Sequence, residues 1–256
     1  VKTTEASVAE SPIVGTPTTL VAGGSVTVEA VGTEDVFVLS VNIGAGDSTA
    51  VAGGAIVLVN DTDTLARLGA VDGPAGGLVV LANGSVHVAA ESRTLIDAAA
   101  GSLGLSFSND GAGAAVSVVV DIDRTEATIG DGAVLRALGL GAAVQARTGV
   151  FDADGIQGTT ALRGLAVTAS SFEDLLQVGI GAAGALASGD VGIGFSVTVG
   201  ILKGSTLALI GAGALVNADA GANVAANATQ AILVRATDET NGTAVAGGLA
   251  VSGGSA

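Results

Sequence analysis

Ala115-Val-Ser-Val-Val-Val-Asp-Ile-Asp-Arg-Thr-Glu-Ala-Thr-Ile-Gly-Asp131 has two counterparts in the chain, and reading the three together decides the fold. The counterparts are Gly54-Ala-Ile-Val-Leu-Val-Asn-Asp-Thr-Asp-Thr-Leu-Ala-Arg-Leu-Gly-Ala70 and Ser196-Val-Thr-Val-Gly-Ile-Leu-Lys-Gly-Ser-Thr-Leu-Ala-Leu-Ile-Gly-Ala212. The anchor threonines are Thr64, Thr125 and Thr206, so the steps are 61 and 81 residues and differ by 20. A chain that lengthens in blocks of about twenty reads as a stack of coils, each coil one supersecondary unit. A second motif keeps the same spacing in different residues: Gly24-Ser-Val-Thr-Val-Glu-Ala30, Gly84-Ser-Val-His-Val-Ala-Ala90 and, more loosely, Gly164-Leu-Ala-Val-Thr-Ala169. Val144-Gln-Ala146 and Asn223-Val-Ala-Ala226 read as weaker copies, the first belonging to an extra coil over 144–164.

Alternation assigns the elements. In Val116-Ser-Val-Val-Val-Asp-Ile122 the even positions are aliphatic, and after Asp123-Arg124 the odd positions take over. Period-two runs broken by Gly, Asn and Asp are strands and turns. The expected fold is all-β: a right-handed parallel β-helix, or β-solenoid, with coils of about 20 residues. That coil length predicts about twelve layers and a rod of about 60 Å at the inter-strand spacing. Residues 1–22, with Pro12 and Pro17, read as a lead-in or irregular first coil, and 23–256 as one continuous repeat domain. Thr64, Thr125 and Thr206 are expected to stack inward or at a corner. Gly69, Gly130 and Gly211 are expected to stack at a tight turn.

Composition narrows the function classes. Net charge is −15 with only 9 Lys and Arg among 256 residues, which leaves no basic footprint for nucleic acid or an anionic bilayer. Mean hydropathy is +0.68, but Asp190 and Lys203 interrupt the most apolar region, Leu175 to Val216. No apolar run reaches the roughly 18 residues of a spanning helix, so membrane insertion is not expected. There is no Cys, hence no disulfide or thiolate metal site. Met is absent, including at position 1, and Ala244-Val-Ala-Gly-Gly-Leu-Ala-Val-Ser-Gly253 looks like the opening of a further unit. The expectation is an excerpt or processed product that continues covalently or by head-to-tail stacking on exposed strand edges.

The stretch Gly111–Ala137 resembles the repeats of very large bacterial surface proteins, the filamentous-haemagglutinin-like adhesins and autotransporter passengers. The phrase Thr-x-Ala-x-Ile-Gly-x-Gly-Ala, intact at Thr125–Ala133 and at Thr206–Ala214, looks like leukotoxin-type filamentous adhesin repeats. At Thr64–Ala70 it is shortened. The resemblance implies export across a Gram-negative envelope, an extracellular or cell-surface location, a β-helical stalk, and adhesion or filament formation. The expected partners are the chain itself, head-to-tail or laterally, and surface glycans or receptors on neighbouring cells. The resemblance supplies no catalytic residues, and no enzyme activity is expected. The alternative is an extracellular β-helix that binds or degrades polysaccharide, which would need a groove of clustered acidic and basic side chains.

Individual motifs carry less. Asp61/Asp63, Asp121/Asp123 and Asp152/Asp154 are Asp-x-Asp pairs, and the first two are the candidate Ca²⁺ ligands. Lys203 and Ser205 take the equivalent place in the third copy, so no regular ladder of carboxylates is expected; solvated turn carboxylates are the plainer reading. Gly179-Ile-Gly-Ala-Ala-Gly184 matches a dinucleotide fingerprint but lacks the helix and the later acidic residue that motif needs. His87 is the lone histidine, and alternation turns it outward toward solvent. Asn60, Asn83, Asn227 and Asn241 head glycosylation sequons that turn chemistry explains as well. A surface-binding Thr-x-Thr array is confined to Thr62 and Thr64. Binding loops are expected at 71–77 and 148–160.

Overall fold

A computed structural model describes residues 1–11, 13, 15–71, 77–188, 190–218 and 225–253. Fourteen strands account for its regular structure: β1 (Lys2–Val8), β2 (Thr18–Ala22), β3 (Val26–Gly46), β4 (Ala50–Leu68), β5 (Leu78–Ala82), β6 (Val86–Ser106), β7 (Gly111–Ile129), β8 (Val134–Ala137), β9 (Val144–Phe151), β10 (Gln157–Leu162), β11 (Gly164–Ser188), β12 (Gly192–Ile210), β13 (Leu215–Val216) and β14 (Ala231–Gly253). Among the described residues there is no helix. Twelve strands fall into three parallel sheets: sheet I is β1-β4-β7-β12, sheet II is β2-β5-β8-β13, and sheet III is β3-β6-β11-β14. The chain visits I, II and III in turn, four times. This is a parallel β-solenoid.

Its coil is not twenty residues. Lys2 pairs with Thr62, Thr64 with Thr125, and Thr125 with Thr206, so neighbouring layers lie 60, 61 and 81 residues apart. The expected alignment of Thr64, Thr125 and Thr206 is therefore real, but each step is one whole turn. The turn is long because the strands of sheets I and III reach 19 to 25 residues in the later layers, so two strands supply more than half of it. The extra 20 residues are not a coil either. They form an antiparallel hairpin, β9 with β10, inserted between β8 and β11 where the previous layer has only Asn83-Gly84-Ser85. The expected second extra coil near Asn223 lies partly outside the described residues. Four layers at about 4.8 Å give a stack of about 19 Å, whereas a 21-residue strand extends about 70 Å. The object is a blade lying across the stacking axis, not a tall rod.

Two cores follow from the uneven strand lengths. At the base, all three sheets enclose a prism packed with Val26, Val28, Leu68, Leu78, Val80, Val86, Val88, Ile129, Leu135, Leu165 and Val167. Gly69, with φ of +86°, turns the corner from sheet I to sheet II. Its successors Gly130 and Gly211 carry the ladder upward: Gly130 N–H donates to Leu68 O at 2.8 Å and Gly211 N–H to Ile129 O at 2.8 Å. Beyond the prism, sheets I and III face one another alone. A small second core of Ile56, Ile96, Ala98, Ala100, Ala115, Val119 and Leu175 lies there. Further out the two sheets nearly touch. A methyl group built on Gly113 would lie 1.9 Å from Ala182 O, and one on Gly181 1.8 Å from Phe195 O. No side chain fits between the sheets at those levels, so the outer blade has almost no interior.

Candidate functional site

Between the two cores the facing strands carry polar side chains inward. Asp123 is 1% exposed and lies at the centre. Its Oδ1 accepts from Thr62 Oγ1 at 2.7 Å and Ser92 Oγ at 2.9 Å; its Oδ2 accepts from Ser171 Oγ at 2.6 Å and Thr125 Oγ1 at 3.0 Å. Four hydroxyls from four strands thus occupy the carboxylate's acceptor sites, which is how a buried charge becomes tolerable. Asp121, two residues along the same face, accepts from Asn60 Nδ2 at 2.9 Å, while its Oδ2 is buried without a partner. Opposite, on sheet III, Glu173 is 1% exposed; its Oε2 accepts weakly from Thr240 Oγ1 at 3.5 Å and its Oε1 has no hydrogen-bond partner. Thr94, its neighbour in the ladder, also has an unpaired hydroxyl. At the first layer Lys2 forms an ion pair with Glu34.

Burial dominates the acidities here. It pushes Glu173 up to about 8, with the negative charges of Asp121, Asp123 and Asp238 adding to the effect. Asp121 is raised to about 6, again chiefly by burial and against the Asn60 hydrogen bond. At neutral pH Glu173 therefore holds a proton and Asp121 is mostly ionised.

The candidate Ca²⁺ ligands do not converge. Asp121 and Asp123 point into the coil, but Asp61 and Asp63 lie on the outer face, beside Ile122 and Arg124. The reason is parity: the step is 61 residues, an odd number, so the inner-face partners of Asp121 and Asp123 are Asn60 and Thr62. Asp152 and Asp154 lie in the hairpin turn, where Asp152 Oδ1 accepts from the backbone N–H of Asp154 and Ile156. Among the described residues no three Asp, Glu or His side chains form a metal-holding group. Gly179, Gly181 and Gly184 all lie within strand β11, so the phosphate-binding turn of a dinucleotide fold is not formed. Asn60, the head of one sequon, is bonded to Asp121 rather than presented to solvent.

His87 faces outward from the coil, as alternation requires, but it is 4% exposed. The inserted hairpin lies over it. Arg147 of β9 pairs with Glu29 at 2.9 Å and Glu91 at 2.6 Å on the outer face of sheet III. Phe151 packs on Phe172 with ring centroids 5.5 Å apart, and Ser170 Oγ donates to Gln157 Oε1 at 2.9 Å. His87 Nε2 lies 3.5 Å from Thr168 Oγ1. Burial lowers the His87 pKa, against the pull of Glu29 and together with the repulsion of Arg147; burial raises that of Glu91. The expected loop at 148–160 is the outer half of this hairpin. The other expected loop, 71–77, lies mainly outside the described residues.

One concavity is large, about 670 Å³, on the outer face of sheet I at the corner with sheet II. Glu5, Glu10, Arg67, Arg124 and Glu126 supply its charges, with Leu207 and Leu209 along its floor. Glu126 binds both arginines, Arg124 at 2.6 Å and Arg67 at 3.4 Å. Glu10 Oε1 accepts from the N–H of Ala70 at 3.0 Å, so this carboxylate helps to form the corner. The sequence pattern assigned none of these residues a functional role. The signal was available in the repeat: Arg67 and Glu126 fall on outward positions beside each other's ladder partners.

Neither family models, nor curated proteins, nor solved structures contain a match to this chain.

Proposed function

We propose that the chain is a rigid structural segment of a bacterial cell-surface or secreted filamentous protein, serving as an adhesive stalk or self-stacking fibre. The observation that carries this reading is the continuous parallel register of all three sheets through the stack, from Lys2–Thr62 to Ile129–Ile210. The long strands of sheets I and III hydrogen-bond from layer to layer along nearly their full length, so a load carried by them must break a ladder. We take the winding as right-handed, in line with nearly all parallel crossovers. An extracellular location follows from the adhesin-repeat resemblance. Electron microscopy of the native parent protein, combined with limited proteolysis, tests the reading. Thin rods or fibres of constant width with a protease-resistant core are expected. Compact particles digested evenly along the chain would end it.

A second reading rests on the corner concavity. It sets acidic and basic side chains together, the arrangement a polysaccharide-binding β-helix needs. Titration with acidic and neutral oligosaccharides distinguishes the two: binding that is lost in Arg67→Ala and Arg124→Ala supports a glycan site, and no heat or shift with either class removes it.

A further inference from the structure

Glu173 and Asp238 border a recess that holds too few hydrogen-bond donors for them. In the row Lys2/Thr62/Asp123/Gly204 of sheet I, the fourth layer alone carries no side chain. A methyl group built on Gly204 would lie 2.7 Å from Asp238 Oδ2 and 3.2 Å from Glu173 Oε1. Carboxylates from two neighbouring strands, β11 and β14, therefore face the same bare glycine. Glu173 is 1% exposed, and the oxygen it turns toward Gly204, Oε1, is the one without a hydrogen-bond partner. Thr206 Oγ1 donates to Asp238 Oδ2 at 3.0 Å. Thr240 Oγ1 has a single hydrogen to divide between Asp238 Oδ1 at 2.9 Å and Glu173 Oε2 at 3.5 Å. Two hydroxyls thus serve two carboxylates, whereas Asp123 alone has four. Neither Glu173 nor Asp238 forms an ion pair among the described residues. Asp121, whose Oδ2 is also buried without a partner, and Asp123 add their negative charge from β7.

We propose that this recess binds Ca²⁺, held by Glu173 Oε1 and Asp238 Oδ2, with the hydroxyl oxygens of Thr206 and Thr240 and water completing the shell. The site is separate from the stalk and glycan readings and rests on neither. A buried carboxylate without donors is costly, and a divalent cation supplies the missing positive charge. Donor chemistry selects the ion. Every ligand is a hard oxygen, the chain has no Cys, and its one His lies on the outer face of sheet III, so nothing here favours a transition metal. Mg²⁺ demands near-ideal octahedral geometry and gives up its water reluctantly, whereas Ca²⁺ accepts an irregular oxygen set from several strands. Asp238 is exposed, which gives the ion a way in from the fourth layer. Only two carboxylates take part directly, so the affinity belongs to the weak range of about 10⁻⁴–10⁻³ M. Asp121 and Asp123 act there through their charge alone. The bound ion joins Thr206 of sheet I to Glu173 and Asp238 of sheet III.

Thermal unfolding and calorimetric titration with CaCl₂ test the site, at about pH 8.5 so that the Glu173 carboxyl is ionised. Against NaCl of equal ionic strength, about 10 mM Ca²⁺ should raise Tm by several degrees, with half of the effect reached at about 1 mM. Glu173→Gln and Asp238→Asn should each weaken binding about tenfold or more, read as loss of most of the Ca²⁺-induced shift whatever the variant's own Tm. Asp238 is exposed, so its variant keeps the fold even where Glu173→Gln disturbs the interior. Asp61→Asn combined with Asp63→Asn, on the outer face of sheet I, should leave the shift unchanged. Neither heat nor a Tm shift up to the highest Ca²⁺ concentration overturns the site. So does an equal shift with Mg²⁺, or a shift that Glu173→Gln and Asp238→Asn both retain, since either is diffuse screening of a chain with net charge −15.

Discussion

At the residue scale, the informative position is a carboxylate inside a β-solenoid. Asp123 survives burial because four hydroxyls from strands β4, β6, β7 and β11 point at it. Asp123→Ala leaves those hydroxyls facing a void, and we expect a loss of roughly 3–5 kcal/mol, read as a lower midpoint in urea. Glu173 behaves in the opposite sense. Its folded pKa, about 8, lies above its ordinary 4.5, so the folded protein binds the extra proton and is most stable below the ordinary value. Stability should fall as pH rises from about 4.5 to about 8 and then level off. Asp121 adds a smaller decline that ends near 6. Glu173→Gln keeps the shape without the titration. At about 1.4 kcal/mol per pKa unit, the variant should raise Tm at pH 8 by several degrees and flatten the slope between pH 6 and pH 8. A Tm profile parallel to that of the parent would show that Glu173 is ionised at neutral pH.

At the element scale, the inserted hairpin is separable from the coil. The previous layer joins sheet II to sheet III with Asn83-Gly84-Ser85 alone. Replacing residues 138–163 by Asn-Gly-Ser should therefore preserve the ladders, checked by far-ultraviolet circular dichroism. It should also uncover His87. Loss of the cover removes the desolvation and the Arg147 charge, both of which lower the pKa, and leaves Glu29, which raises it. The His87 pKa should rise toward 6.5, measured from its ring-proton shifts in NMR. The hairpin was legible in part. Asp154-Gly155 between the alternating runs Val144–Phe151 and Gln157–Leu162 is a turn signal of the antiparallel kind. It reads as a coil only when the repeat is assumed to be twenty residues long. Strand type was legible throughout, because alternation is written into each run. The inner polar cluster was not, because which strand opposes which depends on an odd or even step between layers.

At the scale of the whole molecule, shape follows from coil length. A twenty-residue coil predicts a rod near 60 Å, whereas the sixty-residue coil makes a blade about 19 Å thick along the stack. Small-angle scattering from the monomer at low concentration should give the signature of a flat particle whose longest dimension is near 70 Å, set by its strands. What the amino-acid order determined by itself was the 61- and 81-residue spacing of the repeats, the strand character and the stacking of Thr64, Thr125 and Thr206, since these are properties of equivalent residues seen one at a time. What only the tertiary structure decided was how many strands close a turn, which faces look inward, and that the outer blade is too thin to bury its own aliphatic side chains. Those depend on contacts between residues sixty or more positions apart, and a local pattern carries no measure of the distance across a coil.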